Sequence, residues 1–170
     1  MPELRKPTVA VHRSWLAAVA EAGYEPPWAD FLDVDRLRDP DAFAAYVADQ
    51  IADAEEYAPR RHGWVPATHL WYVDGAVFLG RLSIRHRLTP WLLEYGGHIG
   101  YDVRPSARGN GHATAMLRGA LPWCRKLGID PVLVTCDTDN VASRRVIEHA
   151  GGMFEDKRDN KLRYWIPTSG

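Results

Sequence analysis

The stretch from His98 to Leu127 constrains this chain more than any other. A strand-like run ends at Val103, a Pro105-Ser106 turn follows, and the loop Arg108-Gly109-Asn110-Gly111 leads into a helical pattern opening near His112. Ala113, Met116, Leu117, Ala120, Cys124 and Leu127 recur at helical spacing and make one apolar face. Pro122 lies inside that pattern, where it removes one backbone hydrogen bond and crowds the carbonyl of residue 118. The spacing predicts one helix over 112–127 with a kink around 118–122; two helical pieces are the alternative. A strand feeding a glycine loop and a helix start is a geometry that binds phosphate. The first N–H groups of a helix have no partner within it, and the helix dipole puts partial positive charge there.

The glycine spacing alone also fits a plain turn before a helix. It is not the dinucleotide fingerprint, because Thr114 stands where the third glycine belongs, and no Gly-Lys-Ser/Thr follows to make a P-loop. Arg108-x-x-Gly111-x-Ala113, after the hydrophobic strand and Arg104-Pro105, resembles the acetyl-CoA motif of the GNAT N-acetyltransferase superfamily. The likeness continues through a strand-like Val132–Cys136 and a helix opened by Asp139-Asn140-Val141-Ala142-Ser143 and closed at Ala150-Gly151-Gly152. It covers residues 75–166.

The resemblance implies a single α/β domain over residues 1–170. Its central sheet would be mixed, mostly antiparallel, with flanking helices and a splayed central strand pair. It implies acetyl-CoA as acyl donor and direct attack by a primary amine, on a small molecule or a peptide, within a ternary complex. The backbone of Arg108, Gly109, Asn110, Gly111, His112, Ala113 and Thr114 would wrap the CoA pyrophosphate. Backbone groups near Tyr101 and Val103 would serve the pantetheine arm and the thioester oxygen, and Asn140 the pantetheine amides. Asn140 reads equally as a helix N-cap, and the two roles coexist. Arg104 and Arg118 either add charge near the phosphates or are solvated surface arginines.

The chain departs from the common family pattern at one position. Many members carry a tyrosine seven residues after that asparagine, to protonate the leaving thiolate; here Ile147 stands there. The N-x-x-S form is similar to the ribosomal-protein N-terminal acetyltransferase branch, with Ser143 as the group nearest the sulfur. A thiol with pKa about 8.5 leaves tolerably well even unprotonated. An incoming ammonium, with pKa about 10.4, needs a proton acceptor. Glu94 and His98 are the first candidates, then His86 and Asp102. Strand alternation sets His98, Gly100 and Asp102 on one face and Ile99, Tyr101 and Val103 on the other. The absent tyrosine and the unplaced base leave a second reading open, a non-catalytic acetyl-CoA-binding module. A third is a nucleotide-binding α/β protein using the same loop.

The rest of the chain narrows the class. A net charge of −1 gives no basic field to draw nucleic acid. No apolar run approaches about 18 residues, so no membrane span is expected. Cys124 and Cys136 read as buried free thiols, and the seven histidines lack metal-site spacing, so no metal is expected. A cytoplasmic protein, alone or as a homodimer, is the expectation. Upstream, Thr8–His12 reads as a first strand and Ser14–Ala22 as a helix capped by Ser14. Asp39-Pro40 opens a second helix with Phe43, Tyr46, Val47, Ile51 and Ala54 on one face. Asp74-Gly75 signals a hairpin between Thr68–Val73 and Ala76–Arg85, and Arg158–Asn160 another near the C-terminus. Trp64, Trp71 and Trp91 are candidates for an aromatic wall on the acceptor side.

Overall fold

The hairpin at Asp74 builds the larger sheet of the computed structural model, which describes residues 1–169. Strands β1 (Glu3–Arg5), β2 (Ala67–Asp74), β3 (Val77–Arg85) and β4 (Ile99–Val103) lie in that order, each antiparallel to the next. Asp74 pairs with Val77, so Gly75 and Ala76 form the turn, one residue beyond the dipeptide that signals it. Strands β5 (Val132–Asp137), β6 (Met153–Arg158) and β7 (Lys161–Ile166) make a second antiparallel sheet in the order β5-β7-β6. The two central strands therefore form no ladder with each other. β4 and β5 belong to different sheets and are joined only at one end.

Four α-helices flank these sheets: α1 (His12–Val19), α2 (Pro40–Ala52), α3 (His112–Lys126) and α4 (Val141–His149). α3 runs unbroken through Pro122. Asp39 caps α2 by accepting the Ala42 N–H at 2.9 Å, with Pro40 at the first helical position, as the sequence indicates. Two expectations near the N-terminus fail. Thr8–His12 is not a strand: Val9–Val11 form a 3-10 turn that runs into α1, and the edge strand is Glu3–Arg5. Ser14 lies inside α1, and its Oγ accepts the Phe78 N–H at 2.8 Å, fastening the helix to β3.

β2 buries both faces, which explains its nearly continuous apolar run. Leu70 and Tyr72 join the main core with Leu82, Ile84, Met116, Leu117 and Ile147. Trp71 and Val73 join a second core with Trp15, Phe43, Val47 and Phe78 beneath α1 and α2. Helices thus cover the four-stranded sheet on both sides, α3 on one and α1 and α2 on the other. Glu21 ties the two sides together: its carboxylate accepts Arg104 Nε at 2.8 Å and the Ser106 N–H at 2.9 Å, holding the turn that leads into the glycine loop.

Candidate active site

The site is built on a strand edge left without a partner. On the β3 side, Arg85 N–H donates to His98 O (2.7 Å) and Arg104 N–H to Leu79 O (2.9 Å). Successive residues of a strand turn their amides to opposite sides, so Gly100 and Asp102 also bond toward β3. The amides of Ile99, Tyr101 and Val103 then face β5. The two strands meet at His98, whose N–H donates to Leu133 O (2.7 Å) and whose Nδ1 accepts the Leu133 N–H (2.9 Å). Gly97 permits that approach, since a Cβ there would lie 2.7 Å from Leu133 O. Beyond this clasp no backbone bond joins β4 to β5 among the described residues, and the strands splay.

The gap opens into a cavity of about 580 Å³. Tyr101, Asp102 and Val103 line it from β4; Arg108, Gly109, Gly111, His112, Ala113 and Thr114 line it from the loop and the start of α3; Asn140, Ser143 and Val146 line it from α4. Gly111 is the N-cap of α3 with φ 77°, a left-handed conformation that glycine takes without strain, and no side chain caps the helix. The first N–H groups of α3 therefore remain available to an anion. This fits the phosphates of a CoA-type substrate. Arg108 Nε donates to Val103 O at 3.0 Å, and Asn110 Nδ2 donates to Ala107 O at 3.0 Å, so both side chains brace the loop. Arg104 is committed to Glu21, Ser14 and Phe78 O, and Arg118 to His149 O, so neither is a free phosphate ligand.

On α4, Asn140 Oδ1 accepts the Ser143 N–H at 3.1 Å, the N-cap arrangement. Ser143 Oγ lies 2.7 Å from the Tyr101 hydroxyl. Burial pushes the Tyr101 phenol up to about 12, so it stays protonated across the neutral range. A phenol from β4 thus stands beside Ser143, while position 147 carries an aliphatic side chain. Ile147 itself is fully buried in the main core.

The opposite face of β4 carries Asp102. Tyr24 OH donates to its Oδ1, and Trp28 Nε1 donates to its Oδ2 at 2.9 Å. Burial raises the Asp102 carboxyl above the ordinary aspartate range, against the opposing pull of Tyr24, Trp28, Arg81 and Arg108. The other base candidates are differently placed. His98 is 8% exposed, its Nδ1 is spent on Leu133, and burial, helped by the Arg85 charge, lowers its pKa to about 4. That makes it a neutral clasp between strands. Glu94 pairs with Arg158 from the β6–β7 hairpin, and His86 Nε2 sits 2.7 Å from Thr68 Oγ1. None of these three lines the cavity. Trp71 is buried in the second core, while Trp64 and Trp91 are exposed on the surface.

The splayed strands, phosphate-ready helix start and shared cavity define a CoA-type acyltransferase architecture. Residues 5–153 match the profile of the acetyltransferase (GNAT) domain, and the chain belongs to this family of acetyl-CoA-dependent N-acetyltransferases. Solved structures agree on the fold. RimJ from Mycobacterium smegmatis in complex with CoA-disulfide is 22% identical with a TM-score of 0.65, over 98% of this chain and 81% of that one. RimL, a ribosomal L7/L12 alpha-N-protein acetyltransferase in complex with CoA, is 17% identical with a TM-score of 0.63, over 99% and 96%. A chimera of the spermidine N-acetyltransferase SpeG from Vibrio cholerae and hSSAT is 14% identical with a TM-score of 0.60, over 99% and 96%. No curated protein matches the chain by sequence. No helix among the described residues is long and apolar enough to cross a membrane.

Proposed function

We propose that this protein moves the acetyl group of acetyl-CoA to a primary amine, on a small molecule or a peptide, by direct attack in a ternary complex. The observation that carries this reading is the unpaired edge of β4 opening into one cavity with the uncapped start of α3. The amides of Tyr101 and Val103 are free to pair with the pantetheine arm as a further strand would. The Tyr101 N–H is the donor we assign to the thioester oxygen, a contact of a kind that contributes about 2.7–4 kcal/mol where charge develops. Arg108 to Thr114 hold the pyrophosphate, Asn140 the pantetheine, and Ser143 with Tyr101 the sulfur.

RimL and SpeG are named for amine acceptors, a protein α-amine and spermidine, which supports an amine here. Two buried free cysteines, Cys124 and Cys136, suit a reducing cytoplasm, where the protein would act alone or as a homodimer. The alternative of a non-catalytic acetyl-CoA-binding module drew on the missing phenol at position 147. The Tyr101 hydroxyl beside Ser143 removes much of that ground. The test is release of free CoA from acetyl-CoA against a panel of polyamines, amino acids and peptides with free N-termini. Binding of acetyl-CoA without turnover on any amine would return the module reading. Binding displaced by ATP and not by CoA would favour a nucleotide site.

A further inference from the structure

The acceptor amine must lose protons, and neither Glu94 nor His98 is free to take one. Asp102 is the only acidic residue among those lining the cavity. It follows Tyr101 directly on β4, so the two side chains leave the strand on opposite faces. Tyr101 reaches Ser143 on α4; Asp102 reaches Tyr24 and Trp28, which come from the segment between α1 and α2. An acyl group held on the strand edge at Tyr101 would have a hydroxyl pair on one side and a carboxylate on the other.

The geometry points to Asp102 as the general base that deprotonates the acceptor ammonium, with Tyr24 and Trp28 as the residues that position it. This rests on the N-acetyl transfer reading. The charge balance is complete without a further reactant. R–NH3⁺ gives one proton to the Asp102 carboxylate, and the freed lone pair forms the C–N bond at the thioester carbon. The C–S bond breaks, and the thiolate takes a proton from the Tyr101–Ser143 pair. The nitrogen sheds its second proton as the amide forms, the hydroxyl pair is replenished through water, and Asp102 returns its proton to solvent. The net products are the amide, free CoA and one proton.

The groups around Asp102 set its working range. Tyr24 OH and Trp28 Nε1 bond it, Arg81 lies on the neighbouring strand with its guanidinium 4.7 Å from the Trp28 ring, Arg108 on the loop adds its positive charge, and Tyr46 on α2 senses its charge. Donors and cations favour the ionised carboxylate, while burial favours the neutral acid. A buried carboxylate with two fixed donors keeps lone pairs free for an incoming N–H.

The experiment compares wild type, Asp102→Asn, Asp102→Glu and the double variant Tyr24→Phe/Trp28→Phe, using the best amine from the panel. Asp102→Asn should lose about 10²-fold in kcat/KM at pH 7, keep its CoA affinity by calorimetry, and recover toward wild type near pH 9.5, where more amine arrives neutral. Asp102→Glu should restore part of the rate. The double variant removes two donors from the carboxylate and should move the acid limb of kcat/KM to higher pH, which serves if Asp102→Asn does not fold. A folded Asp102→Asn with the wild-type rate and pH profile, or a double variant with an unmoved acid limb, overturns the assignment and leaves the transferase reading standing. A wild type that binds acetyl-CoA yet acetylates no amine overturns both.

Discussion

The Tyr101 hydroxyl on β4 and Ser143 Oγ on α4 lie 2.7 Å apart, across 42 residues of sequence, at the wall of the cavity we propose for the acyl donor. The phenol stays protonated across the neutral range, so it has a proton to offer a leaving thiolate beside Ser143. Tyr101→Phe should therefore slow amine acetylation by about 10²-fold, the low end for a general acid, because a thiolate leaves tolerably well unaided. Ser143→Ala should cost less than about 10-fold, since the phenol remains. Steady-state turnover of both single variants and the double variant checks this. A double variant no slower than Tyr101→Phe is the expected outcome for two groups acting as one unit. Full activity in Tyr101→Phe would remove the phenol from the mechanism.

The sequence carried the local parts of this site and missed the distant ones. The strand, glycine loop and helix of residues 98–127 are contiguous, so hydrophobic spacing and two glycines were enough to place them. Asp39-Pro40 was legible for the same reason. Tyr101 was readable as sharing a face with Ile99 and Val103, but nothing in the chain said that this face looks onto Ser143. Tyr24 and Trp28 lie in a proline-rich loop 78 and 74 residues from Asp102, and only the packing of that loop against β4 brings them together. Thr8–His12 misled because three apolar residues in a row fit a strand and a helical turn alike.

Gly111→Asp should weaken CoA binding. At φ 77° a non-glycine residue costs about 1–2 kcal/mol, and a carboxylate at a helix N-terminus repels the phosphate it would meet. A rise in Kd of about 30-fold or more by calorimetry follows. Gly111→Asn tolerates the left-handed conformation better and carries no charge, so it should lose much less. Equal losses in the two would mean that backbone strain alone, and not charge at the phosphate site, sets the effect.

His98 makes stability depend on pH. Its pKa falls from the ordinary 6.5 to about 4 in the folded protein, first through burial and then through the Arg85 charge. Between those values the unfolded chain binds a proton that the folded one refuses, so stability is complete above about pH 6.5 and is lost as pH falls toward 4. The loss between pH 7 and pH 5 should be on the order of 2 kcal/mol. Urea unfolding at the two pH values measures it. His98→Gln, which cannot titrate, should flatten that difference and lower stability at pH 7 by about 1–3 kcal/mol, because the Leu133 N–H loses a well-placed acceptor. A His98→Gln protein that keeps the wild-type pH dependence would locate the titration elsewhere.

Ile147→Tyr tests whether the missing phenol was a loss or a replacement. Ile147 is fully buried between α3 and the sheets, and it packs hard against the turn that ends α4: a Cβ on Gly152 would sit 2.6 Å from Ile147 Cγ2. A tyrosine there must find room for a ring in a core with none to spare, which costs about 1–3 kcal/mol by overpacking. Its hydroxyl must also reach the cavity past Val146 and Ser143, which already line it. The expected outcome is a lower midpoint in urea unfolding with no gain in turnover, because in the proposed mechanism Tyr101 supplies the proton. A folded Ile147→Tyr with several-fold higher turnover would show that the site works below its capacity for want of that phenol. The Tyr101–Ser143 pair would then be a packing contact, and the rate of Tyr101→Phe in the Ile147→Tyr background would match that of Ile147→Tyr alone.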